Sequence, residues 1–228
     1  GSEMCIRDRS GSADFLAESG ANINHEREKL ISIFDKVGFV FLFAPLHHEA
    51  MKFVMPVRQK IAEKTIFNLL GPHTNPCSAK KQVLGVYDEK LVKMFSNVAK
   101  NLDMKHVMIV HGDDGLDEIS ICSETTVSEL KDNNISEYKI SPKDYGLNLS
   151  SFDQIAANSS DESLLLVNSA FNGESSPVQD MIALNSGAAL YVASVVNSIS
   201  DGVEMAFDCM NNGQAAQKLA DYVRASNE

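Results

Sequence analysis

The chain has no apolar segment long enough to cross a membrane. None of its apolar runs approaches the roughly 18 residues that a membrane-spanning helix requires. No charged-then-apolar signal segment is evident at its start either. Its 228 residues are 44% hydrophobic and 22% charged, which is typical of a globular protein with one large domain or one and a half. We therefore expect a cytoplasmic protein.

Positive charge is scarce in this sequence. The 20 lysine and arginine residues face 31 acidic ones, and the formal net charge is −11. This argues against broad binding of nucleic acids, which requires a basic surface. An acidic protein can still bind a polyphosphate, provided that metal ions lie between the two negative partners.

Cysteine is also rare, and several familiar motifs are missing. No C-x-x-C pair or matching histidine spacing occurs, which predicts free thiols in a reducing compartment at Cys5, Cys77, Cys122 and Cys209. The chain contains no G-x-S-x-G, Walker or G-x-G-x-x-G motif. It therefore gives no support to a hydrolase, a P-loop protein or a Rossmann dinucleotide-binding protein.

The first 80 residues alternate short apolar runs with glycine and proline. Residues 1–9 match no structural pattern, and we interpret them as a non-native leader outside the fold. Periodicity then predicts a helix ending at Gly20, a helix over 25–37, a buried strand over 40–43, and short helices over 50–58 and 65–70.

A strand–helix–strand unit follows. Residues 82–87 predict a strand, Asp88 caps an amphipathic helix, and 107–110 predict a second, parallel strand. Ligands of such sheets bind beyond the carboxyl ends of the strands. We therefore expect a site in the loop over 111–118.

The remainder predicts further strands and helices. Short strands are expected over 119–122, 125–130 and 135–140, the last two joined by a turn at Asn133-Asn134, and helices over 164–171, 181–198 and 214–224. The middle helix is rich in alanine and should be buried against the sheet. The fold class is α/β, with a central mixed sheet flanked by helices.

Asp117 and Glu118 are the sharpest chemical feature. Mg²⁺ in proteins is usually held by one or two carboxylates together with substrate phosphates and water. The surrounding residues do not have the ligand spacing of an EF-hand. By spacing alone, a solvated acidic loop explains the pair as well as a metal site does.

Residues 41–76 combine histidines, prolines and one arginine, which indicates the wall of a small-molecule site. Arg58 lies among apolar neighbours, where its donors require a carboxylate or phosphate, although an internal salt bridge would also satisfy them. His47-His48-Glu49 lacks the second histidine of a zinc motif.

Near the start of the chain, hydroxyl groups before a helix could bind an anion, although Ser12 or Asp14 could instead cap that helix.

Six stretches taken together resemble the anthranilate phosphoribosyltransferase family, and they occur in the family's order. They are Ser-Gly-Ser-Ala-Asp at 10–14, Phe-Ala-Pro-Leu-His-His at 43–48, Val-Met-Pro-Val-Arg at 54–58, Thr-Ile-Phe-Asn-Leu-Leu-Gly-Pro-His-Thr-Asn-Pro at 65–76, Gln-Val-Leu-Gly-Val-Tyr at 82–87, and Val-His-Gly-Asp-Asp-Gly-Leu-Asp-Glu-Ile-Ser at 110–120. The resemblance covers the chain from residue 10 onward.

The resemblance implies an α/β domain of the nucleoside-phosphorylase and phosphoribosyltransferase type over 10–228. Residues of about 48–76 would contribute to an incomplete helical domain, through which the family usually dimerises. The implied reaction transfers phosphoribose from phosphoribosyl diphosphate (PRPP) to the amino group of anthranilate, a step of tryptophan biosynthesis. Diphosphate is released and Mg²⁺, expected as two ions, is required.

The resemblance also implies roles for particular residues. Arg58 would bind the anthranilate carboxylate, and His48 and Pro72 would line the acceptor channel. PRPP would be contacted at Ser12 and Gly11, and the magnesium would be held by Asp117 and Glu118. No strong general base is implied, because an aniline-type amine needs little deprotonation.

The sequence departs from the family in two motifs. It lacks the Gly-Thr-Gly-Gly-Asp diphosphate loop and the Lys-His-Gly-Asn segment that precedes Ser-Gly-Ser-Ala-Asp. We therefore expect an N-terminally truncated fragment that is inactive as it stands. Two alternatives stay open: an enzyme similar to pyrimidine nucleoside phosphorylase, and a non-catalytic, nucleic-acid-binding member of the same fold.

Overall fold

The computed structural model describes residues 11–47 and 75–228. The elements in these ranges are α1 (Ser12–Glu18), α2 (Arg27–Val37), α3 (Ala44–His47), β1 (Lys81–Gly85), α4 (Lys90–Asn101), β2 (His106–Gly112), β3 (Thr125–Lys131), β4 (Asn134–Ile140), α5 (Ser160–Phe171), α6 (Pro177–Ala193), α7 (Ile199–Asn211) and α8 (Gln214–Asn227). Short 3-10 turns occupy Pro142–Tyr145 and Phe152–Gln154. The leader proposed over 1–9 and the helices predicted over 50–58 and 65–70 lie outside the described residues.

The four strands form one mixed sheet in the order β1-β2-β3-β4. β1 and β2 run parallel, with Gly85 opposite Val110, and α4 connects them as predicted. β3 and β4 complete the sheet in antiparallel fashion, so that Leu130 lies between Val107 on one side and Ile135 on the other. The predicted α/β architecture with a mixed sheet is confirmed.

Alternating residues of β2 supply two separate cores. Val107 and Ile109 pack with α4, which contributes Val92, Phe95 and Ala99. The residues between them face the opposite side, because neighbouring strand residues point to opposite faces of a sheet. There they join the larger core with α6 and α7. Burial of α6 against the sheet is therefore as predicted.

A third cluster joins the two ends of the described chain. Leu16 of α1 and Ile33 of α2 pack against Tyr222 and Ala225 of α8. Tyr222 is 1% exposed, so this small cluster excludes water from its centre.

In the part of the chain that the structure describes, every helix is too short or too polar to span a bilayer.

The strand predicted over residues 40–43 is wrong. These described residues form no strand. Their neighbourhood is held by aromatic packing instead: the Phe39 ring lies 5.0 Å from the Tyr222 ring, and the Phe41 and Phe43 rings lie 6.5 Å apart. Within the run, Phe41 packs against the cluster that contains Tyr222 of α8, and the run is not paired with another strand.

The strand predicted over residues 119–122 is also wrong, because side chains take the place of a partner strand. The Ser120 N–H donates to Thr125 Oγ1 at 2.9 Å, and the Cys122 N–H donates to Ser120 Oγ at 2.9 Å. The Ser120 hydroxyl in turn donates to Asp114 Oδ2 at 2.6 Å. The segment is buried and hydrogen-bonded, but it belongs to no ladder.

The helix predicted over 181–198 corresponds to α6, which begins earlier, at Pro177, and ends earlier, at Ala193. Its C-cap, Ser194, adopts a left-handed conformation (φ 64°). Ser198 then caps α7 by accepting a hydrogen bond from the Asp201 N–H at 3.1 Å. α7 itself was not predicted.

The β3–β4 turn lies one residue earlier than predicted. Its central residues are Asp132 and Asn133, with φ of 49° and 64°. Two consecutive positive φ angles are typical of the two-residue turn that matches the twist of a hairpin. Asn134 consequently belongs to β4 and pairs with Lys131.

Candidate functional site

Residues 113–124 connect β2 to β3 at the end of the sheet where the parallel strands terminate. The connection closes tightly, because the Gly112 N–H donates to the Leu116 carbonyl and the Asp113 N–H donates to the Glu124 carbonyl, both at 2.8 Å. The carboxyl ends of parallel strands are where α/β sheets bind ligands. The loop predicted to carry the site therefore lies in the expected place.

The backbone of Asp117 lies against Gly85, the last residue of β1. A Cβ atom on residue 85 would overlap the Asp117 carbonyl oxygen and would lie 3.2 Å from the Asp117 Cα. Glycine permits this close approach because it has no side chain. The approach holds Asp117 beside the carboxyl end of β1.

On the other side of the pair, Asn185 of α6 binds the backbone of Ile119. Its Oδ1 accepts from the Ile119 N–H at 3.0 Å, and its Nδ2 donates to the Ile119 carbonyl at 2.8 Å. The same Nδ2 donates to the Met181 carbonyl at 3.0 Å within α6. One side chain thus satisfies both backbone polar groups of the residue that follows Glu118.

The electrostatic environment of the pair disfavours two negative charges. Desolvation by the surrounding protein raises the pKa of Glu118, and the neighbouring charge of Asp117 raises it further. The Glu118 side chain nevertheless keeps contact with solvent. Within residues 11–47 and 75–228, neither carboxylate forms an ion pair, and Lys139 pairs with Asp113 at 2.6 Å. Both side chains therefore reach solvent without an ion-pair partner among these residues.

The donor set fits magnesium and does not fit zinc. Among the described residues there is no group of three or more histidine, cysteine or acidic side chains that could enclose a metal ion. Two carboxylates with open positions suit Mg²⁺, which completes its shell with water and substrate oxygens. Asp117 and Glu118 would hold such an ion only together with an oxygen-rich ligand.

Gly11 and Ser12 lie at the start of α1. The Gly11 N–H donates to Asp14 Oδ2 at 3.0 Å, so the cap that competed with an anion site does form at this position. Ser12 is exposed and is the first helical residue. No described contact brings these residues to the carboxylate loop, and their role in PRPP binding stays a prediction.

The acceptor-side residues lie outside the described residues. They are Arg58, His48 and Pro72, and their predicted roles stay predictions. His47, the last residue of α3, is described and half-buried.

Sequence reasoning missed Gly85 and Asn185 as residues that shape the site. Both had a detectable signal. A glycine inside a predicted strand often marks a close approach of another backbone. An asparagine within an otherwise apolar helix requires hydrogen-bond partners, since buried polar groups are rarely unsatisfied.

A family model described as "Glycosyl transferase family, a/b domain" matches residues 2–216. The chain therefore belongs to this glycosyl transferase family. It is 47% identical over 223 residues to an anthranilate phosphoribosyltransferase from Ruthia magnifica subsp. Calyptogena magnifica, which covers 98% of this chain and 66% of that relative.

Solved structures agree with this assignment. The anthranilate phosphoribosyltransferase of Thermus thermophilus superposes with a TM-score of 0.89 at 32% identity, covering 96% of this chain and 65% of that one. The Saccharomyces cerevisiae enzyme in complex with PRPP and Mg shares the fold, with a TM-score of 0.87 at 22% identity over 95% of this chain and 63% of that one. The chain spans 63% to 66% of the length of the curated relatives that it matches.

Proposed function

We propose that the protein to which this chain belongs transfers the phosphoribosyl group of PRPP to the amino group of anthranilate. The expected inactivity of the chain as it stands stays a prediction. The bond between ribose C1 and a diphosphate oxygen breaks, a bond from the anthranilate nitrogen to C1 forms, and the nitrogen loses one proton. The products are N-(5-phosphoribosyl)anthranilate and diphosphate. The observation that carries the proposal is the solvent-accessible Asp117–Glu118 pair beside the carboxyl end of the parallel strands.

The carboxylate pair suits the donor side of this reaction. An acidic loop repels a diphosphate unless a cation lies between them. Burial, followed by the negative charge of Asp117, raises the pKa of Glu118, so a cation at the pair would relieve the repulsion between the two carboxylates. Asp117 and Glu118 would hold magnesium through their carboxylate oxygens. When bound, the metal would supply positive charge that stabilises the departing diphosphate.

The acceptor side is assigned to the stretch that the resemblance identifies. Arg58 would bind the anthranilate carboxylate through its planar donor fork, and His48 and Pro72 would line the channel. Gly11 and Ser12 would contact PRPP. The amine of anthranilate is already neutral at pH 7, so orientation of the two substrates supplies more of the rate than proton removal does.

The proposal extends to the metal count, the assembly and the location. We expect two magnesium ions with PRPP, a homodimer, and a cytoplasmic protein that takes part in tryptophan biosynthesis. The complex of the yeast enzyme with PRPP and Mg supports metal use, though not the number of ions. Light scattering after size-exclusion chromatography measures the assembly, and a monomer at micromolar concentration would contradict the dimer.

Calorimetric titration of the chain with PRPP tests the donor side. We expect PRPP to bind when Mg²⁺ is present, and we expect Asp117→Asn or Glu118→Gln to weaken binding at least roughly tenfold, or about 1.4 kcal/mol. The matched control is Asp132→Asn, which removes the same charge at the distant β3–β4 turn. If the unaltered chain and all three variants bound PRPP equally well with and without Mg²⁺, the assignment of Asp117 and Glu118 as metal ligands would be contradicted.

Anthranilate fluorescence tests the acceptor side without requiring turnover. We expect anthranilate to bind the chain in the presence of Mg²⁺ and PRPP, and Arg58→Ala to weaken this binding. Arg224→Ala is the control, because Arg224 is an exposed arginine of α8 that pairs with Asp221. Displacement of anthranilate by thymidine, or phosphorolysis of thymidine, would instead support the pyrimidine phosphorylase alternative.

A further inference from the structure

The Asp117–Glu118 pair lies outside regular secondary structure, yet specific contacts hold the backbone immediately beside it. A metal-binding carboxylate on a loop is effective only when its backbone is held in place, because every alternative loop conformation lowers the apparent affinity. The two contacts come from elements far apart in the sequence. One is Gly85 of β1, and the other is Asn185 of α6.

Asn185 acts on the loop as a strand partner would. Its amide oxygen and nitrogen bind the N–H and carbonyl of Ile119, as a neighbouring strand binds one residue of a ladder. Ile119 is fully buried, so water could not replace these bonds at its backbone. The hydrogen bond from Asn185 to Met181 fixes the amide orientation within the helix. The orientation of the residue after Glu118 therefore depends on one side chain.

Gly85 constrains the other end of the pair by contact. The obstacle to any side chain at residue 85 is the backbone of Asp117 rather than a flexible side chain. A larger residue therefore cannot be accommodated by a rotamer change, and Asp117 would have to move. Because β1 is paired with β2 through Val110, movement of the loop is the response that leaves the sheet intact.

We infer that Asn185 and Gly85 are positioning residues that hold Asp117 and Glu118 in the geometry for binding a metal–diphosphate group. They act through the backbone of residues 117–119 and need not touch the substrate. This inference rests on the proposed function of the carboxylate pair. It adds two residues, from β1 and α6, on which that function depends.

The test uses Mn²⁺ as an oxygen-seeking substitute for Mg²⁺, together with inorganic diphosphate. Electron paramagnetic resonance of free Mn²⁺ gives the bound fraction for the full chain and for Asn185→Ala, Asn185→Asp and Gly85→Ala. We expect each variant to raise the Mn²⁺ half-saturation concentration by roughly tenfold or more, as is usual for loss of a residue that orients a metal ligand. Asp117→Asn shows what direct loss of a ligand does.

Asn97→Ala is the matched control. Asn97 makes the same kind of bond within its helix, from its Nδ2 to the Lys93 carbonyl at 2.7 Å, and it lies on α4 away from the loop. All variants are compared at a temperature well below the lowest Tm in the set. A loss of Tm without a change in half-saturation would show a purely structural role and overturn the inference.

The outcomes separate the inference from the proposed function. If Mn²⁺ and diphosphate bind the chain but PRPP does not, the transferase proposal fails while a shift in the variants still supports positioning. If PRPP binds and the Mn²⁺ half-saturation concentrations of the three variants equal that of the unaltered chain, only the positioning inference fails. If Asp117→Asn does not change Mn²⁺ binding, both fail.

Discussion

The Nε2 atom of His106 lies 2.7 Å from Oε1 of Glu129, and both residues are almost completely buried. The contact joins β2 to β3 at the end of the sheet away from the candidate site. The Tyr138 hydroxyl on β4 donates to Oε2 of the same carboxylate at 2.8 Å. Burial, followed by the charge of Glu129, raises the pKa of Tyr138, so this hydroxyl remains a donor at neutral and mildly alkaline pH. One buried carboxylate therefore links three strands.

Replacing Glu129 by alanine should destabilise the fold strongly. The change leaves the buried His106 and Tyr138 without their partner, and breaking a buried pair in this way typically costs about 3–5 kcal/mol. Urea unfolding measures the loss. The control is Glu137→Ala, which removes an exposed carboxylate that pairs with Lys93 at 2.8 Å. Surface pairs contribute about 0–1 kcal/mol, so equal effects of the two variants would contradict a structural role for the buried contact.

The close crossing of α6 and α7 leads to a second prediction. A Cβ atom on Gly202 would overlap the Gly187 carbonyl oxygen and would lie 2.8 Å from the Gly187 Cα. Gly202→Ala should therefore lower the free energy of unfolding by about 1–3 kcal/mol, even though alanine favours a helix by about 1 kcal/mol. Thermal unfolding is the measurement, and Ser200→Ala on the exposed side of α7 is the control. An increase in Tm for Gly202→Ala would show that the helices separate without cost.

Glu118 should make stability depend on pH and on magnesium. Its pKa is raised in the folded chain, so ionisation costs stability as the pH rises from the unfolded pKa of about 4.3 through the folded value. In metal-free buffer at pH 7, Glu118→Gln should have a higher Tm than the unaltered chain, and the difference should vanish below about pH 4.

Addition of Mg²⁺ with diphosphate at pH 7 should reverse the order of the two Tm values, so that the unaltered chain becomes more stable than Glu118→Gln. Mg²⁺ with diphosphate should raise the Tm of the unaltered chain more than the Tm of Glu118→Gln. The reason is that a ligand stabilises the folded state that it binds, and only the unaltered chain offers the metal both carboxylates. Scanning fluorimetry across pH, with and without the metal, measures both effects. Asp132→Asn serves again as the control, and a Tm difference that is independent of pH would point to packing rather than charge.

The sequence predicted the parts of the fold that depend on local pattern. The unit from β1 to β2 has the expected order and direction because its strand and helix periodicities are complete within about 30 residues. The loop with Asp117 and Glu118 also follows the second parallel strand as predicted.

The errors arise where the partner is distant in sequence. Ile119 is held by an asparagine 66 residues further along the chain, and no local pattern records such a pairing. Phe39 packs onto Tyr222, so an apolar run that resembles a strand is satisfied by a helix from the other end of the chain. α7 is a different kind of error, because it was missed although it carries a local apolar stripe of Ile199, Val203, Ala206 and Met210 after the cap at Ser198.

The attachment of Ile119 to Asn185 also restricts how many residues the loop can contain. Residues 113–118 run between a strand end and an anchor on α6, with Gly112 bonded to Leu116 in between. An added residue could not be absorbed by sliding along a ladder, since residue 119 belongs to none. It would have to bulge outward from the loop. The number of residues in this loop is therefore as constrained as their chemistry.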